Sequence, residues 1–472
     1  MKILNNLLND ILILETHGNI DAPVSSVSLS SKIILPHTLF VALKGNVVDG
    51  HIFIDEVIEK GATTIVYEDK PKEFKHGINY IRVADTHSAM GIIASNFYGE
   101  PSHRLKLIGV TGTSGKTTTA TLLHQLFRDL NYKAGMIGTV VNKVNDKSYE
   151  ALRTTPDAVT LNELLAEMVD EGCEYCFMEV SSHAVSEKRV SGIHFSGGIF
   201  TNLTLDHLDY HKTFEDYAIA KKGFFDMIPA TGFALANIDD QRGEYMLSTT
   251  KASKYTFALK KEADFNERFE SKLIGEFNAY NLLGIYAAAI LLGQDKEKVK
   301  DVIKNLEAVP GRFQYFKSMP AHAGGQGITG IVDYAHKPDA LENVLRTVNG
   351  MKGNKKVITV VGCGGDRDKS KRPIMAKIGY DMSDILILTS DNPRTEKPID
   401  ILEDMKKGLE GLYLEGKVYI EVDRALAIEQ ACSLAKPGDY ILVAGKGHES
   451  YQEINGIKTH FDDLEELQKD LK

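Results

Sequence analysis

Cysteine is scarce in this sequence, which limits both disulfide and metal chemistry. The 472 residues include four cysteines, Cys173, Cys176, Cys363 and Cys432. Four thiols are too few for the disulfide scaffold of a chain this long. Cys173 and Cys176 form a C-x-x-C pair, but there is no second such pair to complete a structural zinc site. A redox C-x-x-C normally opens a helix, whereas this one leads into the apolar stretch 177–180, so we predict plain buried thiols.

An excess of positive charge and a long uninterrupted hydrophobic run are also missing. Lys and Arg total 55 against 65 Asp and Glu, a net charge of −10, which argues against nucleic-acid binding by bulk electrostatics. The longest uncharged run, 277–294, contains Asn278, Asn281 and Gly284, so we interpret it as a buried helix and not as a membrane span. No signal peptide is visible. We therefore predict a cytoplasmic protein with no nucleic-acid or membrane partner.

The composition itself is that of soluble globular proteins, with 43% hydrophobic and 25% charged residues. No internal repeat or low-complexity segment interrupts it. A chain of this length is expected to form about three domains. A Gly/Pro turn at 98–103 and a Pro-Gly turn at 310–312 suggest where they meet. The predicted domains are 1–100, 101–314 and 315–472.

Apolar strands alternate with helices through the second and third of these domains. Strands are predicted at 106–110, 357–361, 385–389 and 440–444, and a helix at 117–130 follows the first. Uniformly apolar strands separated by helices indicate mainly parallel sheets covered on both faces, so the predicted fold class is α/β. Ligands of such folds bind at the carboxyl ends of the strands.

A glycine-rich loop follows the strand at 106–110 and precedes the helix. It contains T-G-T-S-G-K-T-T-T at 111–119, in which backbone N–H groups and the helix N-terminus can hold phosphate oxygens. Lys116 can reach the β- and γ-phosphates, and the Thr117 hydroxyl can bind Mg²⁺. The usual spacing would place glycine at position 110, where this sequence has Val110. The predicted nucleotide-binding residues are Gly112, Thr113, Ser114, Gly115, Lys116, Thr117 and Thr118.

Carboxylate, imidazole and amine groups follow the next strands. Glu179 ends an apolar strand, which suits a Mg²⁺ ligand near a phosphate loop. His207 and His211 stand with acidic residues between two strand-like stretches. Lys221 lies on a probable helix and, considered alone, would be interpreted as a solvated surface lysine.

Four stretches around these residues together resemble the Mur ligases. They are T-G-T-S-G-K-T at 111–117, M-E-V-S-S-H at 178–183, T-N-L-T-L-D-H-L-D-Y-H at 201–211 and A-I-A-K at 218–221. The resemblance is to the MurE type, whose members add the third residue of the peptidoglycan stem peptide. It implies ATP as co-substrate and two Mg²⁺ ions, one held by Thr117 and Glu179 and the other by His207 and a carbamylated Lys221. The implied catalytic residues are Lys116, Glu179, His207 and Lys221.

Three later stretches resemble nucleotide-contacting motifs of the same family. These are E-F-N-A-Y-N at 276–281, P-G-R-F at 310–313 and V-D-Y-A-H-K-P at 332–338. The resemblance implies that ATP is contacted by Asn278, Arg312, Asp333 and His336.

The third domain supplies the amine-substrate site by resemblance. G-C-G-G-D-R-D at 362–368, S-D-N-P-R at 390–394 and A-G-K-G-H-E at 444–449 each follow a strand. Arginine suits a carboxylate, and glutamate suits an ammonium group. In the family, D-N-P-R marks enzymes that use meso-2,6-diaminopimelate. The diaminopimelate-binding residues implied are Arg367, Asp391, Asn392, Pro393, Arg394, Gly445 and Glu449.

The first domain resembles the family's UDP-binding domain through L-F-V-A-L-K-G at 39–45 and D-G-H at 49–51. It departs from the family at 30–32, where S-S-K replaces D-S-R, and Glu187 stands where glutamine is common. The residues implied for the UDP-muramyl substrate are Leu29, Ser31, Asn46, Val47, Val48, Arg153, Thr154, Thr155, Ser181, Glu187 and Arg189.

The resemblance covers nearly the whole chain and implies three α/β domains: UDP-binding, P-loop ATPase and Rossmann-like. The implied reaction joins meso-diaminopimelate to the D-Glu γ-carboxylate of UDP-N-acetylmuramoyl-L-Ala-D-Glu through an acyl phosphate. Its partners would be these small molecules alone, acting on a monomer. His207, His211 and Asp333 remain alternative acceptors of the amine proton.

Three alternatives differ in what they require of the sequence. A lysine-adding ligase would lack Arg394. A folylpolyglutamate synthase would have no place for the first domain. A catalytically silent nucleotide-binding module would be expected to have lost Lys116, Glu179, His207 or Lys221, and all four are present.

Overall fold

Buried parallel strands connected by helices form the framework, as the alternation of apolar segments predicts. The computed structural model describes residues 1–45, 48–319 and 326–471. They fall into two compact units. Unit 1 comprises Met1–Leu203, His211–Arg268 and Leu283–Val302, and unit 2 comprises Thr204–Tyr210, Phe269–Leu282 and Ile303–Lys472. The predicted α/β class is confirmed, whereas the domain boundaries near 100 and 314 stay predictions.

Unit 1 begins with a five-stranded sheet in the order β2-β7-β6-β5-β4, in which β2 is antiparallel to β7 and the other pairs are parallel. Strands β1 and β3 form a separate antiparallel pair. Helix α3 begins after Asp85, whose side chain accepts from Ser88 N and caps the first turn. The elements are β1 (Lys2–Ile3), α1 (Leu4–Leu7), β2 (Ile13–His17), β3 (Pro23–Val24), β4 (Ser26–Ser28), β5 (Thr38–Val41), α2 (Ile54–Glu59), β6 (Ala62–Tyr67), β7 (Asn79–Val83) and α3 (Thr86–Phe97), with short 3-10 helices at Gly50–Phe53 and Pro101–Arg104.

The second sheet of unit 1 has eight strands in the order β11-β10-β9-β12-β8-β13-β14-β15. The six strands from β9 to β15 in this order are parallel, and the polar hairpin β10–β11 adds an antiparallel edge. Most of α7 and the first part of α10 belong to unit 2. The elements along this stretch of the chain are β8 (Lys106–Thr111), α4 (Lys116–Asp129), β9 (Ala134–Ile137), β10 (Val141–Val144), β11 (Lys147–Glu150), α5 (Ala158–Asp170), β12 (Tyr175–Glu179), α6 (Ser182–Ser186), β13 (Gly197–Phe200), α7 (Leu208–His211), α8 (Phe214–Met227), β14 (Phe233–Asn237), α9 (Gly243–Leu247), β15 (Ser253–Phe257), α10 (Glu276–Leu291) and α11 (Lys296–Ile303).

Unit 2 contains a six-stranded sheet in the order β16-β17-β21-β18-β19-β20, parallel except for β16. A two-stranded antiparallel hairpin, β22–β23, lies outside it. The elements are β16 (Gln314–Lys317), β17 (Thr329–Asp333), α12 (Pro338–Met351), β18 (Val357–Cys363), α13 (Lys371–Met382), β19 (Ile385–Ser390), α14 (Pro398–Lys406), a 3-10 turn (Lys407–Leu409), β20 (Val418–Ile420), α15 (Arg424–Leu434), β21 (Tyr440–Ala444), β22 (Tyr451–Ile454), β23 (Ile457–His460) and α16 (Asp463–Asp470).

Strand β18 shows why the central strands are uniformly apolar. Val357 and Val361 belong to the hydrophobic cluster on one face of the sheet, and Ile358 and Val360 belong to the cluster on the other. Successive side chains of a strand point to opposite faces, so a strand covered by helices on both sides needs apolar residues throughout. The sheet is therefore a buried layer, and its polar chemistry is confined to the strand ends.

The C-x-x-C pair is part of the core, as predicted. Cys173 and Cys176 are free thiols with 5% and 0% exposure. Burial raises the pKa of both, that of Cys176 well above its ordinary value. Among the residues that the structure describes, no helix combines the length and hydrophobicity needed to span a bilayer.

Candidate active site

The phosphate loop joins β8 to α4 in the geometry expected of a nucleotide-binding loop. A β-carbon on Gly112 would lie 1.9 Å from Thr201 Oγ1, so only glycine fits this approach. Gly115 precedes the helix with φ +85°, a conformation that glycine adopts without strain. Val110, which stands where the usual motif has glycine, is an interior residue of β8. Thr118 is half-buried in the first turn of α4, whose N–H groups face the loop.

Asn202 holds the loop in shape. Its Oδ1 accepts from Ser114 N at 2.9 Å, and its carbonyl accepts from Thr113 N at 2.9 Å. Thr201 Oγ1 donates to Ser114 O at 2.7 Å, and the Thr113 and Tyr217 hydroxyl groups are 3.1 Å apart. These bonds preorganise the loop before any phosphate binds.

Two lysines converge on the same loop carbonyl. Lys116 Nζ donates to Gly112 O at 2.9 Å and to Thr113 O at 3.0 Å, while Lys221 Nζ donates to Gly112 O at 2.7 Å. Lys221 is 1% exposed and lies over the Tyr217 ring, 4.7 Å from its centroid. It is therefore a buried side chain beside the phosphate loop, and not the solvated lysine that its helix position alone would suggest.

Glu179 lies at the carboxyl end of β12, next to the first turn of α4. Its Oε2 accepts from Thr117 Oγ1 at 3.0 Å, and its Oε1 accepts from Thr139 N at 2.8 Å. A β-carbon on Gly138 would lie 2.7 Å from Oε1. Thr139 Oγ1 also donates to Thr154 Oγ1 at 3.1 Å. The carboxylate is thus 1% exposed yet fully hydrogen-bonded.

The Thr117–Glu179 pair fits a Mg²⁺ ion. Adjacent oxygen ligands of octahedral Mg²⁺, each at about 2.1 Å, lie about 3 Å apart, and the two oxygens here are 3.0 Å apart. Within the described ranges, no group of three or more His, Cys, Asp or Glu side chains is arranged to hold a metal. A pair of protein oxygens completed by phosphate and water oxygens is the usual arrangement for Mg²⁺.

Several residues implied for the muramyl substrate cluster beside this carboxylate. Thr155 Oγ1 donates to the main-chain carbonyl that ends β12 at 2.7 Å and accepts from Ser181 N at 3.1 Å. Arg189 Nη1 donates to Thr155 O at 2.9 Å, and its Nε donates to Glu187 Oε2 at 2.8 Å. Arg153 is exposed in the segment leading to this cluster. The structure therefore brings together four of the residues that sequence motifs associated with this substrate.

Three of the implied UDP-contacting residues lie in the described part of the first domain, two of them just after β4 and one after β5. Leu29 packs against its core, Ser31 O accepts from Lys60 Nζ at 2.8 Å, and Val48 is 47% exposed. Asn46 and Val47 lie outside the described residues.

In unit 2, Asp333 lies at the carboxyl end of β17 beneath Arg312. Its Oδ2 accepts from Phe313 N at 2.6 Å and its Oδ1 from Ala335 N at 2.7 Å. Burial raises the pKa of Asp333 to about 6, although the Arg312 charge opposes the rise. The Arg312 guanidinium lies 4.4 Å from the centroid of the Tyr334 ring. A cation, an aromatic face and a carboxylate are thus adjacent in this part of unit 2.

The other two implied ATP contacts of unit 2 are held by backbone carbonyls. His336 Nδ1 is 2.8 Å from Tyr334 O, and Lys371 Nζ donates to His336 O at 2.8 Å. Burial and the charge of Lys337 lower the pKa of His336 well below its ordinary value, so the imidazole is neutral near pH 7. Asn278 Nδ2 donates to the Ile274 carbonyl at 2.8 Å.

The segment carrying His207 belongs to unit 2, whereas Thr117, Glu179 and Lys221 belong to unit 1. His207 has φ +54°, and its Nε2 lies 3.0 Å from Asp206 Oδ2. Asp206 also forms an ion pair with Lys337. Burial alone would raise the pKa of Asp206, but the His207 hydrogen bond and the Lys337 charge outweigh it and lower the pKa.

The three loops implied for diaminopimelate follow the carboxyl ends of β18, β19 and β21 in the six-stranded sheet. Arg394 Nη1 donates to Gly365 O at 2.8 Å, and a β-carbon on Gly365 would lie 1.8 Å from Pro393 O. Gly445, with φ +124°, leaves room for Asp391, since a β-carbon there would lie 2.7 Å from Oδ2. An open cavity of about 420 Å³ adjoins these loops. Its lining residues are Asp366, Arg367, Asp368, Lys369 and Glu396.

Glu449 lies on the same side as the 390–394 loop. Its Oε2 accepts from Asn392 Nδ2 at 2.7 Å and lies 3.3 Å from Lys446 Nζ. Burial and the nearby Asp391 carboxylate raise the pKa of Glu449, while Lys446 and Asn392 lower it. The 390–394 loop supplies an arginine and the 444–449 loop a carboxylate, the two kinds of group that a substrate with both carboxylates and amines requires.

Sequence reasoning did not select Thr139, Asn202 or Lys446. Thr139 lies in a loop without a distinctive motif, and Asn202 lies in the 201–211 stretch without a role of its own being assigned to it. Their bonds to Glu179 and the phosphate loop form only when distant strands pair. Lys446 was visible within A-G-K-G-H-E, but a lysine in a loop is ordinarily exposed.

Sequence models of one family match three consecutive parts of the chain. They are described as Mur ligase family, catalytic domain (residues 23–98), Mur ligase middle domain (residues 110–290) and Mur ligase, glutamate ligase domain (residues 311–447). Together they span most of the chain and include all the loops described above except 448–449.

Relatives agree with these matches over almost the full length. The UDP-N-acetylmuramoyl-L-alanyl-D-glutamate--2,6-diaminopimelate ligase of Cytophaga hutchinsonii is 50% identical, covering 98% of this chain and 97% of the relative. The protein of the same name from Clostridium perfringens is 40% identical, with 98% of each chain covered.

Solved structures give the same result. A structure of a UDP-N-acetylmuramoyl-L-alanyl-D-glutamate--2,6-diaminopimelate ligase superposes with a TM-score of 0.71 at 30% identity, covering 100% of this chain and 99% of that one. The folylpolyglutamate synthase of Mycobacterium tuberculosis has a TM-score of 0.58 at 16% identity, covering 75% of this chain and 91% of that one, which indicates a common fold alone. On the evidence of its three matched domains and its full-length relatives, this chain belongs to the Mur ligase family.

Proposed function

We propose that this protein is an ATP-dependent ligase that joins meso-2,6-diaminopimelate to the γ-carboxylate of D-Glu in UDP-N-acetylmuramoyl-L-Ala-D-Glu. The observation that carries the proposal is that the loop containing Arg394 and the loop containing Glu449 contact each other, through the 2.7 Å bond from Asn392 Nδ2 to Glu449 Oε2. Arginine binds a carboxylate and glutamate binds an ammonium. Diaminopimelate has a second amino-acid end that lysine lacks, so it can use the additional arginine.

The reaction follows from the poor electrophilicity of a carboxylate. An oxygen of the γ-carboxylate attacks the γ-phosphorus of ATP, which gives an acyl phosphate and ADP. The neutral amine of diaminopimelate then attacks the acyl carbon. The tetrahedral intermediate expels phosphate and leaves the amide, and the amine nitrogen loses one proton.

Lys116 is the residue of unit 1 assigned to the phosphoryl transfer. Its ammonium is held over the phosphate loop by Gly112 O and Thr113 O, from which it can turn to phosphate oxygens. Thr117 and Glu179 would hold one Mg²⁺ ion, which neutralises the charge that develops on the transferred phosphoryl group. The phosphate oxygens themselves are assigned to the loop N–H groups, which Asn202 keeps in position.

Lys221 is assigned to the second metal as a carbamate, together with His207. The ammonium first loses a proton, and the neutral amine then adds CO₂ and releases a second proton, so that a cation is exchanged for an anion overall. Burial disfavours a charged ammonium, and Lys221 is 1% exposed. Its contact with the phosphate loop supports a role in ATP chemistry over a surface role.

The remaining substrate contacts are assigned in groups of residues that lie near one another. Thr154, Thr155, Ser181, Glu187 and Arg189 are proposed for the muramyl end, and Leu29, Ser31 and Val48 for the uridine diphosphate. Arg312, Asp333, His336 and Asn278 are the proposed nucleotide contacts of unit 2. Three groups are candidates for the proton released by the amine: His207, His211, whose Nε2 is 2.8 Å from Ser182 Oγ, and Asp333.

Phosphate release from ATP tests the proposal directly. The enzyme is assayed with Mg²⁺ and UDP-N-acetylmuramoyl-L-Ala-D-Glu, and meso-diaminopimelate is compared with L-lysine. Turnover with diaminopimelate alone is expected. Turnover with lysine would contradict the role of Arg394, and turnover with neither amine would reject this amine-substrate class. L-Glutamate serves as the control acceptor, because it lacks a second amine.

A further inference from the structure

A fully buried lysine follows β21 and has no part in the reaction as assigned above. Lys446 is 0% exposed, and its Nζ donates to Asn392 Oδ1 at 3.0 Å. The same nitrogen lies 3.3 Å from Glu449 Oε2 and 5.4 Å from the centroid of the Tyr451 ring. Burying an ammonium is costly unless it is paired and hydrogen-bonded. The three contacts compensate for that cost at this one position in the loop.

The lysine also fixes the orientation of the neighbouring amide. Asn392 Oδ1 accepts from both Lys446 Nζ and Glu453 N, the second at 2.9 Å. Both are donors, so the oxygen of the amide must face them and the nitrogen must face Glu449. Asn392 Nδ2 accordingly donates to Glu449 Oε2 at 2.7 Å.

Both bonds to Glu449 fall on the same carboxylate oxygen. Oε2 receives Asn392 Nδ2 and Lys446 Nζ, which leaves Oε1 as the oxygen available to a substrate ammonium. The Glu449 side chain is 17% exposed, so a small solute can reach it, while Lys446 behind it is closed to solvent.

We propose that Lys446 is a positioning residue of the amine-substrate site, where its buried ammonium holds the Glu449 carboxylate and the Asn392 amide in place for the ammonium of the incoming amino acid. The inference rests on the proposed function, because it takes Glu449 as the partner of that ammonium. Lys446 acts through Glu449 and Asn392, and it does not itself touch the substrate.

The charges around Glu449 show what the lysine contributes. Burial and Asp391 raise the pKa of Glu449, and Lys446 with Asn392 lowers it. The Arg424 guanidinium of α15 and the Tyr334 hydroxyl group also interact electrostatically with Glu449. Burial raises the pKa of Tyr334 to about 12, so that phenol is neutral at working pH. Removing Lys446 takes away a cation that lowers the pKa of Glu449, so this pKa rises and the charged carboxylate, the form that binds an ammonium, becomes less favoured.

The test uses the full-length enzyme with Lys446→Met, which keeps length and removes the charge. We expect KM for diaminopimelate to rise about tenfold or more, the loss typical of one charge-assisted hydrogen bond, with KM for ATP and for the muramyl substrate nearly unchanged. The acid limb of the pH profile of kcat/KM for diaminopimelate should also move to higher pH. Lys458→Met is the matched control, because exposed Lys458 also lies over the Tyr451 ring, 4.2 Å from its centroid, but does not contact Glu449.

Glu449→Gln and the double variant Lys446→Met/Glu449→Gln separate this inference from the proposed function. If Glu449→Gln raises KM for diaminopimelate and adding Lys446→Met raises it no further, Lys446 acts through Glu449 as proposed. Additive losses, or equal losses for all three substrates, would overturn the positioning role and leave Glu449 as the ammonium partner. An unchanged KM in Glu449→Gln would reject both. If Lys446→Met does not fold, Lys446→Gln replaces it, because glutamine keeps a hydrogen-bond donor without the charge. The proposal then requires the acid limb of kcat/KM for diaminopimelate to move to higher pH in Lys446→Gln.

Discussion

Lys221 illustrates how the surroundings of one residue change its chemistry. A lysine on a helix is ordinarily hydrated, yet this side chain is 1% exposed and donates to the phosphate-loop carbonyl of Gly112. Its neighbour Lys222 instead pairs with Asp226 at 2.7 Å near the surface of the same helix. Two adjacent lysines therefore offer a matched comparison of a buried and a surface amine.

The Lys221→Ala variant is expected to lose nearly all ligase activity, because the carbamate oxygens proposed to hold a metal would be gone. Lys222→Ala should keep near-native turnover. The measurement is phosphate release with all three substrates, repeated in CO₂-depleted buffer and after addition of bicarbonate. Near-native turnover of Lys221→Ala would contradict the assignment, as would a wild-type rate insensitive to bicarbonate after complete CO₂ removal.

The burial of His124 predicts that the stability of the protein depends on pH. This α4 residue is 7% exposed, and its Nε2 has no hydrogen-bond partner among the described residues. Burial and the Lys143 charge lower its pKa from 6.5 to about 4. The unfolded chain therefore binds this proton more readily, and stability is lost as the pH falls from about 6.5 towards 4.

His124→Leu should remove that dependence. Relative to wild type, it should gain about 2 kcal/mol of unfolding free energy between pH 7 and pH 5. The measurement is urea unfolding of both proteins at the two pH values. If the unfolding free energies of the variant and the wild type differ by the same amount at both pH values, His124 is not the titrating group. His460→Leu is a control of opposite sign, because pairing with Glu465 raises the pKa of exposed His460 and its removal should cost stability at the lower pH.

At the scale of elements, buried ion pairs hold the strand ends that carry the substrate loops. Arg424, the first residue of α15, donates to Ser390 O at 3.1 Å and to Ala444 O at 3.1 Å, the last residues of β19 and β21. Its guanidinium also forms two 2.7 Å bonds with Asp463 at the start of α16. One side chain thus connects two strands and two helices.

Arg424→Ala should destabilise the protein by about 3–5 kcal/mol, because it leaves the Asp463 carboxylate buried without a partner. The double variant Arg424→Met/Asp463→Leu should recover much of that loss, since an apolar pair of similar volume needs no counter-charge. The free energies of unfolding of both variants can be measured by denaturant titration. The signal is circular dichroism or tyrosine fluorescence, since the sequence has no tryptophan. A double variant as unstable as the single one would mean that the carbonyl bonds, and not the ion pair, dominate.

The elements that could be predicted from the sequence are those with a strong local pattern. The strand predicted at 440–444 is β21, and the strand predicted at 106–110 is β8, one residue longer. The polar hairpin β10–β11 and the pair β22–β23 could not be found this way, because β11 and β23 are exposed throughout and β10 and β22 contain few apolar residues. Their position depends on partners distant in sequence.

For the site, the motifs identified the residue types but not their mutual support. Glu179 was selected as a strand-end carboxylate, whereas the Thr139 bonds that orient it arise only from folding. Glu449 was selected as an ammonium partner, whereas the buried Lys446 behind it resembles an ordinary loop lysine in the sequence. Motifs record groups that face the ligand, and the groups that hold them in place depend on long-range packing.

At the scale of the whole molecule, three sheets are each associated by family resemblance with one substrate. The five-stranded sheet is associated with the nucleotide sugar, the eight-stranded sheet with ATP and the six-stranded sheet with the amine. Amide formation uses all three substrates in equal amounts. The chemistry therefore links ATP consumption to the presence of the other two.

Omitting the muramyl substrate should abolish phosphate release, because no carboxylate is present to accept the phosphoryl group. Omitting diaminopimelate should reduce release to about a single turnover or less, since the acyl phosphate has no amine to attack it. Both results are read from a phosphate-release time course at known enzyme concentration. Steady ATP hydrolysis without the muramyl substrate would contradict the coupling and favour a nucleotide-binding module of another kind.

The buried cysteines give each unit its own reporter of opening. Cys173 and Cys176 lie in the core of the eight-stranded sheet, and Cys363 ends β18 of the six-stranded sheet, where burial raises its pKa to about 12. A thiol reacts as its exposed thiolate, so alkylation of these three requires the surrounding core to open first. Pulsed alkylation followed by peptide mass spectrometry would therefore time the opening of the two units separately. The alkylation rate of each native thiol thus reports local unfolding around it, without an engineered label and without a change to the substrate loops.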